Sequence, residues 1–242
     1  MSSGNFLTIG SVFYSLLLIT VFFSKKRLKT LENKIYSMLI ICNFIGLILA
    51  IMCYYTVLYN DIVPMLNFII SRLYLIYLVS YIFLFFCYLI AGLYTEDDKL
   101  TGKIKKFFIS ITFIFFVIVL LVYYLPLYYH NENMIIYSYG PSANIIYFLA
   151  TVCMTIWTIL LIKNYKKVKN KKFWPIVFFI IGSLIVTIVQ KNNPGLLLMT
   201  SFETFITIIM YFTIENPDTK MLEEVHKAKV ISDNANEEKT MF

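Results

Sequence analysis

The sequence is poor in the residues that most catalytic and metal sites use. It holds two histidines and four cysteines among 242 residues, too few for a disulfide framework or a zinc cluster. Charged residues make up only 14% of the chain and hydrophobic residues 60%, with 22 phenylalanines and 19 tyrosines. Because so much apolar surface would aggregate in water, the composition excludes an ordinary soluble domain and predicts an integral membrane protein.

Further absences exclude particular membrane chemistries. No histidine lies inside a long apolar run, so a Ser/His intramembrane protease would lack its base. The last run holds no lysine for a retinal Schiff base, and no glycine-rich phosphate loop is present. We therefore expect no catalytic residue, metal site or cofactor in this chain. All four cysteines lie in apolar runs and are interpreted as small buried hydrophobes.

Seven apolar runs are long enough to cross the hydrocarbon core of a bilayer, which takes about 20 helical residues. These runs are Phe6–Phe23, Ile35–Leu58, Leu66–Tyr94, Phe107–Leu127, Asn144–Ile162, Phe173–Gln190 and Gly195–Ile214. They predict an all-α membrane protein whose residues 1–214 form a seven-transmembrane helix bundle. Because lysines follow the first run and no positive stretch precedes it, we interpret that run as a retained helix.

The segments between the runs separate by charge. The three segments after the first, third and fifth runs hold fifteen lysine or arginine residues. The N-terminus and the segments 59–65, 128–143 and 191–194 together hold only Lys191. Because basic loops stay in the cytoplasm, this predicts a protein of the cell membrane with its N-terminus outside and its C-terminus cytoplasmic. Topology and contacts with anionic lipid explain the basic loops, so we expect the bilayer as their partner and not nucleic acid.

Two ionisable residues lie inside the apolar runs. Arg72 lies in the third run and Glu203 in the seventh, both at a modest depth from the outer end. Since an unpaired charge is costly in a bilayer, we predict an ion pair between them. The pair is either a structural clamp between two helices or a site that senses a ligand or a proton. Other polar residues complete this candidate site: Asn43, Asn67, Gln190 and Thr200.

Residues 215–242 differ from the rest of the chain. They carry a net charge of −3, whereas the first 214 residues carry +10. Glu215, Asn216, Pro217 and Asp218 predict a helix restart, with asparagine as cap and proline in the first turn. Small or apolar residues then recur at intervals of four and three, which indicates a weak coiled-coil seam. The seam residues are Met221, Val225, Ala228, Ser232, Ala235, Lys239 and Phe242. A short solvated helix or a disordered tail is the alternative.

The segment Ser201–Asp218 resembles the last membrane span and the juxtamembrane joint of multi-pass bacterial sensor histidine kinases. Three motifs of the tail resemble the helix that leads into the phosphoacceptor segment of these kinases. They are Ala228-Lys229, Asn234-Ala235-Asn236 and Lys239-Thr240-Met241-Phe242. The resemblance covers 194–242, about a fifth of the chain, and the first six runs match only as a multi-pass input region.

The resemblance implies the membrane sensor module of a two-component signal-transduction kinase. A stimulus would pass through the seventh helix and the joint at 215–218 to a cytoplasmic helix that forms a homodimer. His226 precedes Lys227-Ala228-Lys229, which departs from the phosphoacceptor pattern, so His226 does not inherit that role. We expect an isolated sensor region without enzyme activity, which reaches a response regulator only through a kinase core outside this chain.

Two other classes of membrane protein remain open. A small multi-pass transporter or channel would show an internal repeat, paired interrupted helices or several polar groups at the midplane. We find no three-plus-three repeat, and Arg72 and Glu203 are the only charged residues within the runs. A membrane anchor without a switch is the third class.

Overall fold

The computed structural model describes residues 3–26, 30–94, 102–132, 135–165 and 174–217, together with positions 221, 222, 225, 228–230, 232 and 233. Seven long helices form in these parts. They are α1 (Ser3–Ser24), α2 (Leu31–Leu58), α3 (Pro64–Tyr94), α4 (Gly102–Tyr124), α5 (Pro141–Lys163), α6 (Trp174–Asn192) and α7 (Leu198–Met210). With α7 extended to Glu215, all seven are long and apolar enough to cross a membrane. The predicted helical bundle with seven candidate spans is thereby confirmed, while its orientation stays a prediction.

Helix α3 lies at the centre of the bundle. About two thirds of the most apolar stretch of α3 is buried inside the bundle, compared with 6% of that of α4. It packs on α2 along most of its length and also contacts α4 and α5, while α7 packs against α1, α2 and α6. At 1.5 Å per residue its 31 residues measure about 46 Å, more than the roughly 30 Å hydrocarbon core of a bilayer. The central helix is therefore longer than such a core is thick.

Aromatic side chains fill the middle of the bundle. The ring centroids of Phe85 and Phe179 lie 4.2 Å apart, and those of Phe85 and Trp157 lie 5.0 Å apart. Lipid tails are as apolar as these side chains, so close packing, not water exclusion, stabilises the helix contacts. Offset aromatic pairs add to that packing. The high aromatic content of the chain therefore serves the interior as well as the lipid surface.

A short β-hairpin covers one end of the bundle. Strand β1 (Tyr128–Glu132) pairs antiparallel with β2 (Ile135–Tyr139). No strand is predicted for this segment from the sequence, because the hairpin depends on pairing across its strands: the Tyr128 and Tyr139 rings lie 5.6 Å apart. Gly140 forms the turn after β2 with φ 121°, and α5 begins at Pro141. We call this end of the bundle the hairpin end and the opposite end the tail end.

The start of the seventh helix differs from the prediction. The sequence predicts a span that begins at Gly195, but Pro194–Leu196 forms a separate 3₁₀ turn and α7 starts at Leu198. Leu197 between them has a left-handed backbone, with φ 34°. The carboxamide oxygen Oε1 of Gln190 accepts a hydrogen bond from the Met199 amide at 3.1 Å. A side chain from α6 therefore satisfies one of the free amides at the start of α7.

The tail end of α7 passes into a π-helical turn, Tyr211–Glu215. Asn216 follows with an extended backbone, so the predicted break at the joint lies at this residue. Pro217 is helical again, whereas Asp218 lies outside the described residues. Of the predicted seam, Met221, Val225, Ala228 and Ser232 are helical and exposed. Ala235, Lys239 and Phe242 lie outside the described residues.

Helices α2 and α3 approach closely at Gly46, which predicts the effect of a substitution there. A Cβ atom at Gly46 would lie 2.0 Å from the ring of Tyr77. We expect Gly46→Ala to lower the free energy of unfolding in detergent micelles by about 1–3 kcal/mol, because the ring must move. Gly10→Ala is the control, since nothing lies within 4 Å of a Cβ atom there. Equal stability of the two variants would contradict the close approach.

Candidate functional site

A line of tyrosines on α3 faces the seventh helix. The line, which we call the tyrosine line, consists of Tyr74, Tyr77, Tyr81 and Tyr88. Their spacing of three, four and seven residues places them on one side of the helix. Each hydroxyl forms a hydrogen bond with the α7 segment or the π turn that follows it. The tyrosine line is therefore the polar seam between α3 and α7.

The partners along this seam keep a constant offset in the sequence. Tyr74, Tyr77 and Tyr81 pair with Thr200, Glu203 and Thr207, each 126 residues further along the chain. A constant offset means that α3 and α7 run parallel and in register. The fourth pair departs from it, because Tyr88 bonds to Glu215, 127 residues away. The π turn accounts for this extra residue, since it closes its hydrogen bonds over five residues and not four.

Glu203 is the charged residue at the centre of the seam. Its side chain is 1% exposed, and its Oε2 atom accepts a hydrogen bond from the Tyr77 hydroxyl at 2.5 Å. Among the described residues, its other oxygen, Oε1, accepts no hydrogen bond. Asn43 of α2 lies beside this contact, and its Nδ2 atom donates to the Thr204 hydroxyl at 2.9 Å. The carboxyl group is therefore held by one neutral hydroxyl, and the Asn43–Thr204 pair beside it is neutral as well.

A second level of hydrogen bonds lies one turn closer to the tail end. The Tyr81 hydroxyl and the Thr207 hydroxyl lie 3.0 Å apart, and Thr207 donates to the Glu203 carbonyl at 2.7 Å. Tyr36 of α2 donates to the Thr207 carbonyl at 2.6 Å. All these groups are fully buried. Since an unpaired polar group in lipid costs several kcal/mol, these bonds fix α7 against both α2 and α3.

The last contact of the seam lies at the tail end. The Tyr88 hydroxyl donates to Oε1 of Glu215 at 2.5 Å, and both side chains are buried. Glu215 is the final residue of the π turn and directly precedes the extended Asn216. This hydrogen bond therefore ties the exit of the seventh helix to the centre of the bundle.

The predicted ion pair between Arg72 and Glu203 does not form between these two described residues. Nη1 of Arg72 donates to the Val122 carbonyl at 2.6 Å, and the guanidinium lies over the Phe68 ring at 5.0 Å from its centroid. The pair was predicted only from the similar depths of the two residues within their helices. Arg72 lies five residues before Tyr77, however, which turns it by about 140° away from the face that meets α7.

The other predicted residues divide between three places. Asn43 and Thr200 belong to the seam with Glu203. Asn67 lies elsewhere: it bonds to Asn60 at 2.7 Å and accepts from Ser71. Gln190 holds the first turn of α7, as described above, and also borders the cavity described next.

A cavity of about 410 Å³ extends from the hairpin to the depth of Glu203. Its lining includes Ile136 of the hairpin, Tyr74 of α3, Tyr147 of α5 and Lys191 at the end of α6. Half of the other lining side chains are apolar residues of α2, α3 and α5. This volume and this mixture of groups are typical of sites for small molecules. Among the described residues, no three histidine, cysteine, aspartate or glutamate side chains could hold a metal ion.

The tyrosine line was missed from the sequence. Tyrosine is so frequent in this chain that its presence in an apolar run carries little information. The heptad-like spacing of the four tyrosines is the signal that could have found them, and Thr200, Glu203 and Thr207 repeat it in the seventh run. No protein-family model, curated protein or solved structure matches the chain.

The contact between Tyr77 and Glu203 predicts a loss of stability when the hydroxyl is removed. We expect Tyr77→Phe to lower the free energy of unfolding in mixed micelles by about 1–2 kcal/mol, because a buried acceptor loses its donor. Tyr124→Phe on α4 is the matched control, since that side chain is 78% exposed. If the two substitutions had the same effect, the hydrogen bond would not contribute to the fold.

Proposed function

We propose that the chain is the membrane-embedded sensor module of a two-component signal-transduction histidine kinase. In this proposal the bundle detects a stimulus at the hairpin end. The seventh helix then passes a movement through the π turn and the joint at Asn216 and Pro217 to a cytoplasmic helix. The observation that carries the proposal is the parallel pairing of the tyrosine line with α7, which ends in the contact of Tyr88 with Glu215 at the exit from the bundle.

The π turn is the element that supports a switch. Its extra residue lies between the pair Tyr81–Thr207 and the pair Tyr88–Glu215. Conversion of this turn to α-helix would shift the partner of Tyr88 by one residue and rotate the following helix by about 100°. Such a turn can thus exist in two arrangements that differ at the tail end while the seam toward the hairpin end stays paired.

The resemblance of Ser201–Asp218 to sensor kinases supplies the rest of the proposal. It places the hairpin end outside the cell and residues 215–242 in the cytoplasm, in agreement with the charge of the loops. The cytoplasmic helices of two chains would pair along the seam that begins at Met221. A seam of small residues such as Ala228 and Ser232 repacks at low cost, which suits a two-state element.

A small transporter is the second candidate function. The observation that favours it is the cavity, which reaches a buried carboxyl group within the bundle. A solute flux assay on the purified protein in liposomes distinguishes the two functions. A transporter would move solute across the bilayer without any kinase core, whereas a sensor module would show no flux above that of empty liposomes.

Insertions that change the helical phase of the tail test the sensor proposal. The chain is joined at Phe242 to the phosphoacceptor and ATP-binding core of a multi-pass sensor kinase, and one or seven residues are inserted after Asp218. One residue rotates the downstream helix by about 100°, whereas seven nearly restore its phase. We expect autophosphorylation in membranes to change severalfold with one residue and to return toward the parent level with seven. Equal output from both insertions would contradict a rotational signal.

The contact at the tail end gives a second test in the same fusion. We expect Tyr88→Phe to change the basal autophosphorylation by about fivefold, because loss of one buried hydrogen bond of about 1 kcal/mol shifts a two-state equilibrium by that factor. Tyr124→Phe is the control and should leave the output at the parent level. An unchanged output for Tyr88→Phe in correctly folded protein would show that this contact does not hold the switch.

A further inference from the structure

The chemistry of the cavity indicates what it binds. The volume of about 410 Å³ lies within the range of about 300–1,000 Å³ that small-molecule sites occupy. Its wall between the hairpin and the deep end is formed by aliphatic side chains, among them Leu75, Leu78 and Ile146. A ligand of this cavity therefore needs an apolar body.

The deep end of the cavity carries a carboxyl group that pairs with no basic side chain among the described residues. Glu203 lines the cavity, and a single hydroxyl, that of Tyr77, bonds to its carboxyl group. No lysine, arginine or histidine of the described residues lies within 4 Å of Glu203. Burial of a carboxylate without a cation is costly, so a cation that enters the cavity gains the interaction that the fold leaves unmade.

Aromatic rings border the same place. Tyr74 lines the cavity together with Glu203, and its ring centroid lies 6.0 Å from that of Tyr77, whose hydroxyl bonds to the carboxyl group. Tyrosine faces attract ammonium groups, and more strongly where water is excluded. Lys191, the other charged residue of the lining, is exposed at the end of α6, away from the deep end. The deep end therefore favours a cationic head group, and the neutral or anionic head groups of similar molecules gain less there.

We propose that this cavity binds an amphipathic amine, with its ammonium group on Glu203 beside Tyr74 and its apolar body along the wall toward the hairpin. The identification of this ligand as the stimulus rests on the proposed sensor function, whereas the binding itself does not. The site lies on the tyrosine line, so an ammonium group bound to Glu203 would compete with the Tyr77 hydroxyl for the contact that fixes α7.

Three probes with the same chain and different head groups test the site: octylamine, octanol and octanoate. Binding to the full chain in lipid nanodiscs is measured by titration calorimetry, with empty nanodiscs subtracted to remove partition into lipid. We expect saturable binding of octylamine at least tenfold tighter than octanol, and no saturable binding of octanoate. Equal affinity of octylamine and octanol would overturn the proposal.

Two variants locate the site. Glu203→Gln should abolish the preference of the amine over the alcohol, whereas Asp61→Asn removes an exposed carboxylate outside the cavity and should keep it. Ala150→Leu adds a side chain to the cavity wall without touching the hydrogen bonds of the seam, and should weaken octylamine binding at least fivefold. If folded Ala150→Leu protein binds octylamine as the parent does, the amine lies elsewhere and the proposal fails.

The fusion to a kinase core separates this inference from the proposed function. Saturable binding of octylamine without any change of autophosphorylation would leave the site in place and contradict its role as a sensor of amines. Phase-dependent output together with a failure of octylamine to bind would leave the sensor function in place and overturn the ligand assignment.

Discussion

The hydrogen bond between Tyr77 and Glu203 is the contact on which the arrangement of this bundle depends. Its two partners are buried at the meeting point of α2, α3 and α7. In lipid the apolar side chains give helices little reason to prefer one neighbour or one register over another, so polar contacts of this kind determine both. The pairs at Tyr74 and Tyr81 repeat the same register one turn away on either side.

The π turn is a consequence of that register. If α7 continued as a regular helix, the residue opposite Tyr88 would be Ile214, which cannot accept its hydrogen bond. The additional residue brings Glu215 to that position and places it immediately before the extended Asn216. The seam therefore holds one carboxyl group at the depth of the cavity, Glu203, and another at the exit of the helix, Glu215. This connection is what makes a signalling role physically reasonable.

Much of the fold followed from the sequence because a bilayer restricts the choices. A spanning segment must satisfy its own backbone, so long apolar runs could only be helices, and their ends were found to within a few residues. The hairpin was missed because its stability comes from pairing across strands and from the cover of Ile136 against the bundle, which no local pattern shows. Helix α7 starts later than the predicted Gly195 because a 3₁₀ turn comes first and because the group that holds the helix start, Gln190, belongs to another helix.

Part of the candidate site could also be predicted from the sequence. Glu203, Asn43 and Thr200 stand out as polar residues in apolar runs, and the structure brings them together. The partner of Glu203 was assigned wrongly because Arg72 was placed by its depth along α3 and not by the direction it faces. Tyr77 carries no formal charge and resembles the aromatic residues around it. Only its spacing from Tyr74 and Tyr81 marks it as a member of the polar seam between α3 and α7.

A double-mutant cycle on Tyr77 and Glu203 tests the central contact most directly. The free energy of unfolding in mixed micelles is measured for the parent chain, Tyr77→Phe, Glu203→Gln and the double variant. A direct hydrogen bond predicts that the second substitution costs less in the presence of the first, with a coupling energy of about 1 kcal/mol. Additive effects, with a coupling energy near zero, would show that the two side chains do not hold α3 and α7 together and would contradict the account.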